Sequence, residues 1–232
     1  MTDSIPPDRE SPRVDAGSTG SATEPILASA EPTDPGPRAR LFVAIELPEN
    51  LTALVGSIQS RLRDDIGERA SLLRWVDVTG AHLTLAFLGA TPESRIDEIV
   101  DALDHVRHRG PVHLASGGLG AFPGPRSPRV LWIGLDGERD ALGSLRSEVQ
   151  NTLVPLGWPP DTRGFAPHVT IARARDDARS AERRAIGIAY GAIWPPSPVA
   201  FAVDAIALMR SDLGPGGPRY TRLARIPLTT AR

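Results

Sequence analysis

Apolar residues recur along this chain with two spacings, and the switch between them marks its elements. Leu41–Leu47 is a short, mostly apolar run bounded by Arg40 and Pro48 and reads as a strand. After Pro48, Leu51, Leu54, Val55, Ile58 and Leu62 return at helical spacing and form the buried stripe of a helix. A strand containing His82 follows. Thr91-Pro92-Glu93 has the form of a helix start, with Thr91 as N-cap and Pro92 at the first helical position, and Ile96, Ile99, Val100, Leu103 and Val106 supply its apolar face. Further on, Val130–Leu135 reads as a strand, and Leu142, Leu145, Val149 and Leu153 mark another helix. A strand containing His168 comes next. Asp176 to Ile188 reads as a mostly polar helix or loop, and the runs Val199–Met209 and Tyr220–Leu228 read as strands of a long hairpin with a wide loop through Gly214–Pro218.

The order strand, helix, histidine strand therefore occurs twice. Ile45 and Ile133 are 88 residues apart, and His82 and His168 are 86 apart. Such near-constant spacing predicts an internal duplication, hence an α+β chain of two similar lobes related by a pseudo-twofold axis. The lobes occupy residues 40–232. Residues 1–39 hold 7 of the 23 prolines and few large apolar side chains, with 7 acids against 3 arginines. A segment of that composition buries too little to offset its ordering entropy and is expected to be a disordered acidic tail.

Composition narrows the chemistry. The chain of 232 residues has no cysteine, which excludes disulfides, thiolate nucleophiles and zinc–thiolate sites. It also has no lysine: all 26 basic residues are arginine, so no Schiff base, P-loop lysine or lysyl-nucleotide intermediate can form. No apolar run approaches the ~20 residues needed to span a bilayer. The opening MTDSIPPDRE carries acids and prolines where a secretory segment needs a basic start and an apolar middle, so a cytoplasmic protein with no membrane association is expected. The net charge is −2, and without the tail it becomes +2, a mildly basic domain.

The informative motif is a tetrapeptide present twice, His82-Leu-Thr-Leu85 and His168-Val-Thr-Ile171. On a strand, His82 and Thr84 share one face while Leu83, Leu85 and Phe87 pack on the other; His168 and Thr170 pair in the same way opposite Val169 and Ile171. Two imidazoles facing one another across a cleft can take and give a proton near neutral pH, and threonine hydroxyls can hydrogen-bond anionic oxygens between them. That set suits in-line displacement at phosphorus. A metal site is disfavoured, because the third position is threonine rather than a second histidine, and the nearest carboxylate, Asp77, lies five residues before His82. His105, His108 and His113 have no duplicated counterpart. The first two belong near a helix end, where a solvated role is ordinary.

The stretches Leu41–Pro48, Arg74-Trp-Val76, His82–Gly89, Gly118–Pro123, Pro128–Trp132, Arg163–Arg173 and Pro215-Gly-Gly217 with Tyr220 resemble the two-histidine (2H) phosphoesterases. Within that superfamily they are most similar to the RNA 2′,3′-cyclic phosphodiesterases once called 2′-5′ RNA ligases, over residues 40 to 228. The resemblance implies a bilobal LigT-like fold, two antiparallel sheets with outer helices around a central cleft lined by the HxTx strands. It also implies metal-independent opening of a terminal RNA 2′,3′-cyclic phosphate to a 2′-phosphate. No cofactor is expected, the partners expected are RNA ends or cyclic nucleotides, and the chain is expected to act as a monomer. His168 would be the base that activates water, His82 the acid that protonates the leaving 3′-oxygen, and Thr84 and Thr170 the phosphate holders. Which histidine is acid and which is base comes from the resemblance alone.

Arg173 matches a position commonly arginine in these enzymes. By strict alternation it points away from His168, so it reaches the phosphate only where the strand ends or bends; a salt bridge is the alternative. Arg129 and Arg163 are further candidates for RNA phosphates. Phe165 is expected as a cleft wall able to stack on a base, and Trp132 in the core. One departure is Ala86, four after His82 on the cleft-facing parity, where a basic residue is common; its absence predicts weaker phosphate attraction. Two other functions stay open: reversible ATP-independent 2′-5′ end joining, and a non-catalytic binder of RNA ends. The small domain charge argues against extended duplex binding.

Overall fold

A computed structural model of the chain describes residues 36–106, 110–162, 164–193, 197–214 and 217–228. Most of the expected tail thus lies outside the described residues, and Arg38 and Ala39, at its end, already form part of the first strand. The strands are β1 (Arg38–Glu46), β2 (Leu73–Trp75), β3 (His82–Pro92), β4 (Val112–Phe122), β5 (Val130–Gly137), β6 (His168–Ala174), β7 (Ala200–Val203), β8 (Ala205–Gly214) and β9 (Gly217–Pro227). The helices are α1 (Glu49–Ile66), α2 (Ile96–Leu103), α3 (Arg139–Leu153) and α4 (Ser180–Ala192). No helix among the described residues is long and apolar enough to cross a membrane.

The strands form two antiparallel sheets, one in the order β3-β1-β8-β9 and the other β2-β6-β5-β4-β7. The duplication is written into the register. In the first sheet Glu46 stands opposite His82 and Ala44 opposite Thr84; in the second Gly134 stands opposite His168 and Trp132 opposite Thr170. Each histidine strand is therefore paired to its predecessor in the same way. The expected stripes are the buried ones: Leu51, Leu54, Val55, Ile58 and Leu62 on α1, and Leu142, Leu145, Val149 and Leu153 on α3. They join Leu41, Val43, Ile45, Leu83, Ile133, Val169 and Ile171 in one core cluster. Each such side chain removed from water stabilises the fold by ~1.5–3 kcal/mol.

Several expectations change. Val199–Met209 is two strands, because Asp204 ends β7 in the second sheet and the chain passes to β8 in the first. The C-terminal hairpin β8–β9 thus completes the first sheet, and the lobes are not contiguous halves. Its strands pair as far as Gly214 and Gly217, shortening the wide loop expected there. Thr91 does not cap α2: its hydroxyl donates to the carbonyls of Leu88 and Gly89 (both 3.4 Å), and Pro92 ends β3. A single 3-10 turn, Glu93–Arg95, then leads into α2. The polar stretch after Asp176 resolves as α4, where the Glu182 carboxylate accepts the backbone N–H of Arg179 at 2.8 Å, one half of a capping box.

Candidate active site

The two histidine strands come together where the sheets meet, with Cα atoms of β3 and β6 within 8 Å. Between them opens a cleft of about 930 Å³ lined by His82, Thr84, His168, Thr170, Arg173 and Phe165 from the expected set. Arg40, Phe42, Phe122, Arg146 and Tyr220 line it as well, and sequence patterning did not assign them a role.

Both imidazoles are held alike. His82 Nδ1 lies 2.8 Å from the carbonyl oxygen of Gly80, and His168 Nδ1 lies 2.7 Å from that of Ala166, in each case two residues upstream. A carbonyl only accepts, so Nδ1 carries the proton and Nε2 is left for a substrate. Aromatic rings fix each plane. Phe42 lies tilted at 4.7 Å from His82 and Tyr220 meets it edge-on at 4.8 Å. On the other side Phe122 meets His168 edge-on at 5.0 Å and Trp132 lies tilted behind at 6.0 Å. Trp132 packs under His168 rather than facing the cleft, and Gly120 is the residue that admits it: a Cβ there would overlap the indole.

Burial, opposed by the Gly80 hydrogen bond and reinforced by the positive charge of Arg173, holds the His82 pKa below the usual histidine value. Burial also raises the Tyr220 hydroxyl, against the pull of Arg173 and Arg40, so it stays a neutral donor near pH 7. Arg146 is mostly buried, stacks over Phe165 at 4.7 Å and meets the Asp161 carboxylate at 3.4 Å, bracing the cleft wall expected at Phe165.

Strict alternation fails in both histidine strands at the same place. The β1–β3 register skips Leu85, and the β5–β6 register skips Ile171, each three residues after its histidine. Such a bulge puts two successive side chains on one face. Ile171 and Ala172 are both buried, and Arg173 turns out into the cleft, so the strand does bend where the arginine requires it. In β3, Ala86 packs against the core and Phe87, expected inside, is 67% exposed at the cleft rim. Ala86 lines the cleft, as its parity predicts, and the large side chain that projects there after the first motif is that of Phe87.

Other candidates stand elsewhere. Arg129 is exposed at the start of β5 and does not line the cleft, and Arg163 and His108 lie outside the described residues. Asp77 is engaged locally, accepting from the backbone N–H and hydroxyl of Thr79 at 3.0 and 2.8 Å. His105 Nδ1 sits 2.7 Å from the Asp101 carbonyl just past α2, and His113 Nδ1 lies 3.3 Å from Glu138. Among the described residues, no three His, Cys, Asp or Glu side chains group as metal ligands would.

A model of the 2′-5′ RNA ligase superfamily matches residues 39–215. The RNA 2′,3′-cyclic phosphodiesterase of Geobacillus stearothermophilus is 31% identical over 84% of this chain, though the match spans only 59% of that protein. The RNA 2′,3′-cyclic phosphodiesterase of Thermus thermophilus is 34% identical over 82% of this chain and 90% of its own. Among solved structures, E. coli LigT complexed with 3′-AMP superposes with a TM-score of 0.60 at 26% identity, covering 82% of this chain and 98% of that one.

Proposed function

The chain belongs to the 2′-5′ RNA ligase superfamily, and from that premise we propose that it hydrolyses terminal 2′,3′-cyclic phosphates of RNA to 2′-phosphates, in the cytoplasm, as a monomer and without a metal. His168 Nε2 takes a proton from water, whose oxygen attacks phosphorus as the P–O3′ bond breaks; His82 Nε2 delivers the proton to the departing O3′. Thr84, Thr170 and Arg173 donate to the non-bridging oxygens, whose charge grows in the transition state. His82 is neutral in the free enzyme at pH 7, and it takes up a proton from solvent as the anionic phosphate, which favours the imidazolium, binds beside it.

The observation that carries this reading is the matched pair of Nδ1 contacts, at 2.8 and 2.7 Å, which leave both Nε2 atoms for one cleft. His82→Ala and His168→Ala test it on a nucleoside 2′,3′-cyclic phosphate. Loss of a general acid or base lowers turnover by ~10²–10⁴-fold, whereas a non-catalytic binder has no turnover to lose. Wild-type turnover that survives either substitution within a few fold would refute the assignment.

A further inference from the structure

Few polar side chains are buried among the described residues, and two of them are glutamines on the inner faces of α1 and α3, Gln59 (4% exposed) and Gln150 (7%). Each reaches across the duplication. Gln59, from the first half, donates through Nε2 to the carbonyl of Ile171 in β6 at 3.1 Å and to that of Val76 at 2.7 Å. Gln150, from the second half, donates through Nε2 to the carbonyl of Leu85 in β3 at 3.2 Å. Of these acceptors, Ile171 and Leu85 are the bulged residues, each three after a motif histidine.

A bulged residue lies outside the regular ladder, and leaving a buried carbonyl unsatisfied is unfavourable. β3 is an edge strand, so no neighbouring strand serves the outer side of Leu85, and the amide of Gln150 does. In β6 the Val76 N–H also donates to Ile171 at 3.1 Å, and Gln59 ties that pair of carbonyls to α1. We propose that these glutamines are positioning residues: by holding the bulges, Gln59 aims Arg173 and Gln150 aims Phe87 into the cleft, so that each half sets the histidine strand of the other. The arginine's use in phosphate binding rests on the function proposed above.

The test compares Gln59→Leu, Arg173→Ala and the double variant in the full-length protein. If Gln59 acts through Arg173, Gln59→Leu raises KM for a nucleoside 2′,3′-cyclic phosphate about as much as Arg173→Ala does, roughly tenfold for the loss of one charge-assisted contact, and the second substitution adds less than twofold. A second readout needs no turnover: the His82 imidazole, followed by NMR, titrates higher in Gln59→Leu, as in Arg173→Ala, because the nearby positive charge has moved away. Gln59→Met, closer in length, is the substitute where the leucine variant does not fold. An unchanged His82 titration, or KM effects that multiply in the double variant, overturns the inference and leaves the proposed function standing. A wild-type protein with no hydrolysis but the expected titration shift refutes the function and leaves the positioning role in place.

Discussion

At the scale of single residues, the duplicated motif gives two chemically identical imidazoles set among different neighbours. His82 lies against Phe42 and Tyr220 and within the field of Arg173, and both burial and that charge disfavour its protonated form. Its folded pKa is lowered, and it must carry the proton it gives to O3′, so the limb on which kcat/KM falls as pH rises belongs to His82. Arg173→Ala removes one of the two lowering influences and should move that limb to higher pH while burial keeps it from returning fully; a limb that stays put or moves down would show that the charge is not felt. Gly120 is a second residue whose identity is dictated by a neighbour. A methyl group there would overlap the Trp132 indole, so Gly120→Ala must displace the ring that packs beside His168. Overpacking of this kind costs about 1–3 kcal/mol, to be read as a lower denaturant midpoint together with reduced turnover. An unaffected midpoint would mean the indole has room to move.

At the scale of elements, alternation correctly paired His82 with Thr84 and His168 with Thr170, because up to the threonine both strands are regular. It failed one residue later. Leu85-Ala86 and Ile171-Ala172 carry nothing in their side chains that distinguishes a bulge from a continuing strand, and the amides that stabilise the bulges are distant in sequence, at Gln150 and Gln59. The glutamines were visible only as polar residues on apolar stripes, Gln59 between Val55 and Leu62 and Gln150 before Leu153. β4 escaped because Ser116-Gly-Gly118 interrupts it with a register shift, and β7 and β8 merged because only Asp204 separates two apolar runs. β3 carries a second bulge at Leu88, whose carbonyl accepts from the Trp158 indole at 3.0 Å. Trp158→Phe keeps most of the ring and removes that donor. The Thr91 hydroxyl still donates to that carbonyl at 3.4 Å, so the variant should be destabilised by about 1 kcal/mol, the net worth of one hydrogen bond, and a chemical-denaturation curve unchanged from wild type would deny the indole that role.

At the scale of the whole molecule, the fold is a means of bringing two equivalent strands from different sheets face to face. The C-terminal hairpin makes this possible: β8 pairs with β1, so the strand beneath His82 is buried on both faces, with Phe42, Ala44, Ala207 and Met209 forming a small cluster under the cleft. Arg40 and Arg173 give that cleft positive charge, Arg146 being paired with Asp161 at its wall, within a domain whose excess is only +2. A site built this way attracts one phosphate strongly and a polyanion weakly. KM for a short cyclic-phosphate end should therefore rise with salt as for one or two phosphate contacts, and double-stranded RNA without such an end should not compete; strong inhibition by blunt duplex would contradict this. The most direct test of the central claim, that two imidazoles open the ring without a metal, is the identity of the product. The protein, stripped with chelator and given a nucleoside 2′,3′-cyclic phosphate, should yield the 2′-phosphate alone at an undiminished rate, whereas a 3′-phosphate product or turnover restored only by a divalent cation would contradict the account.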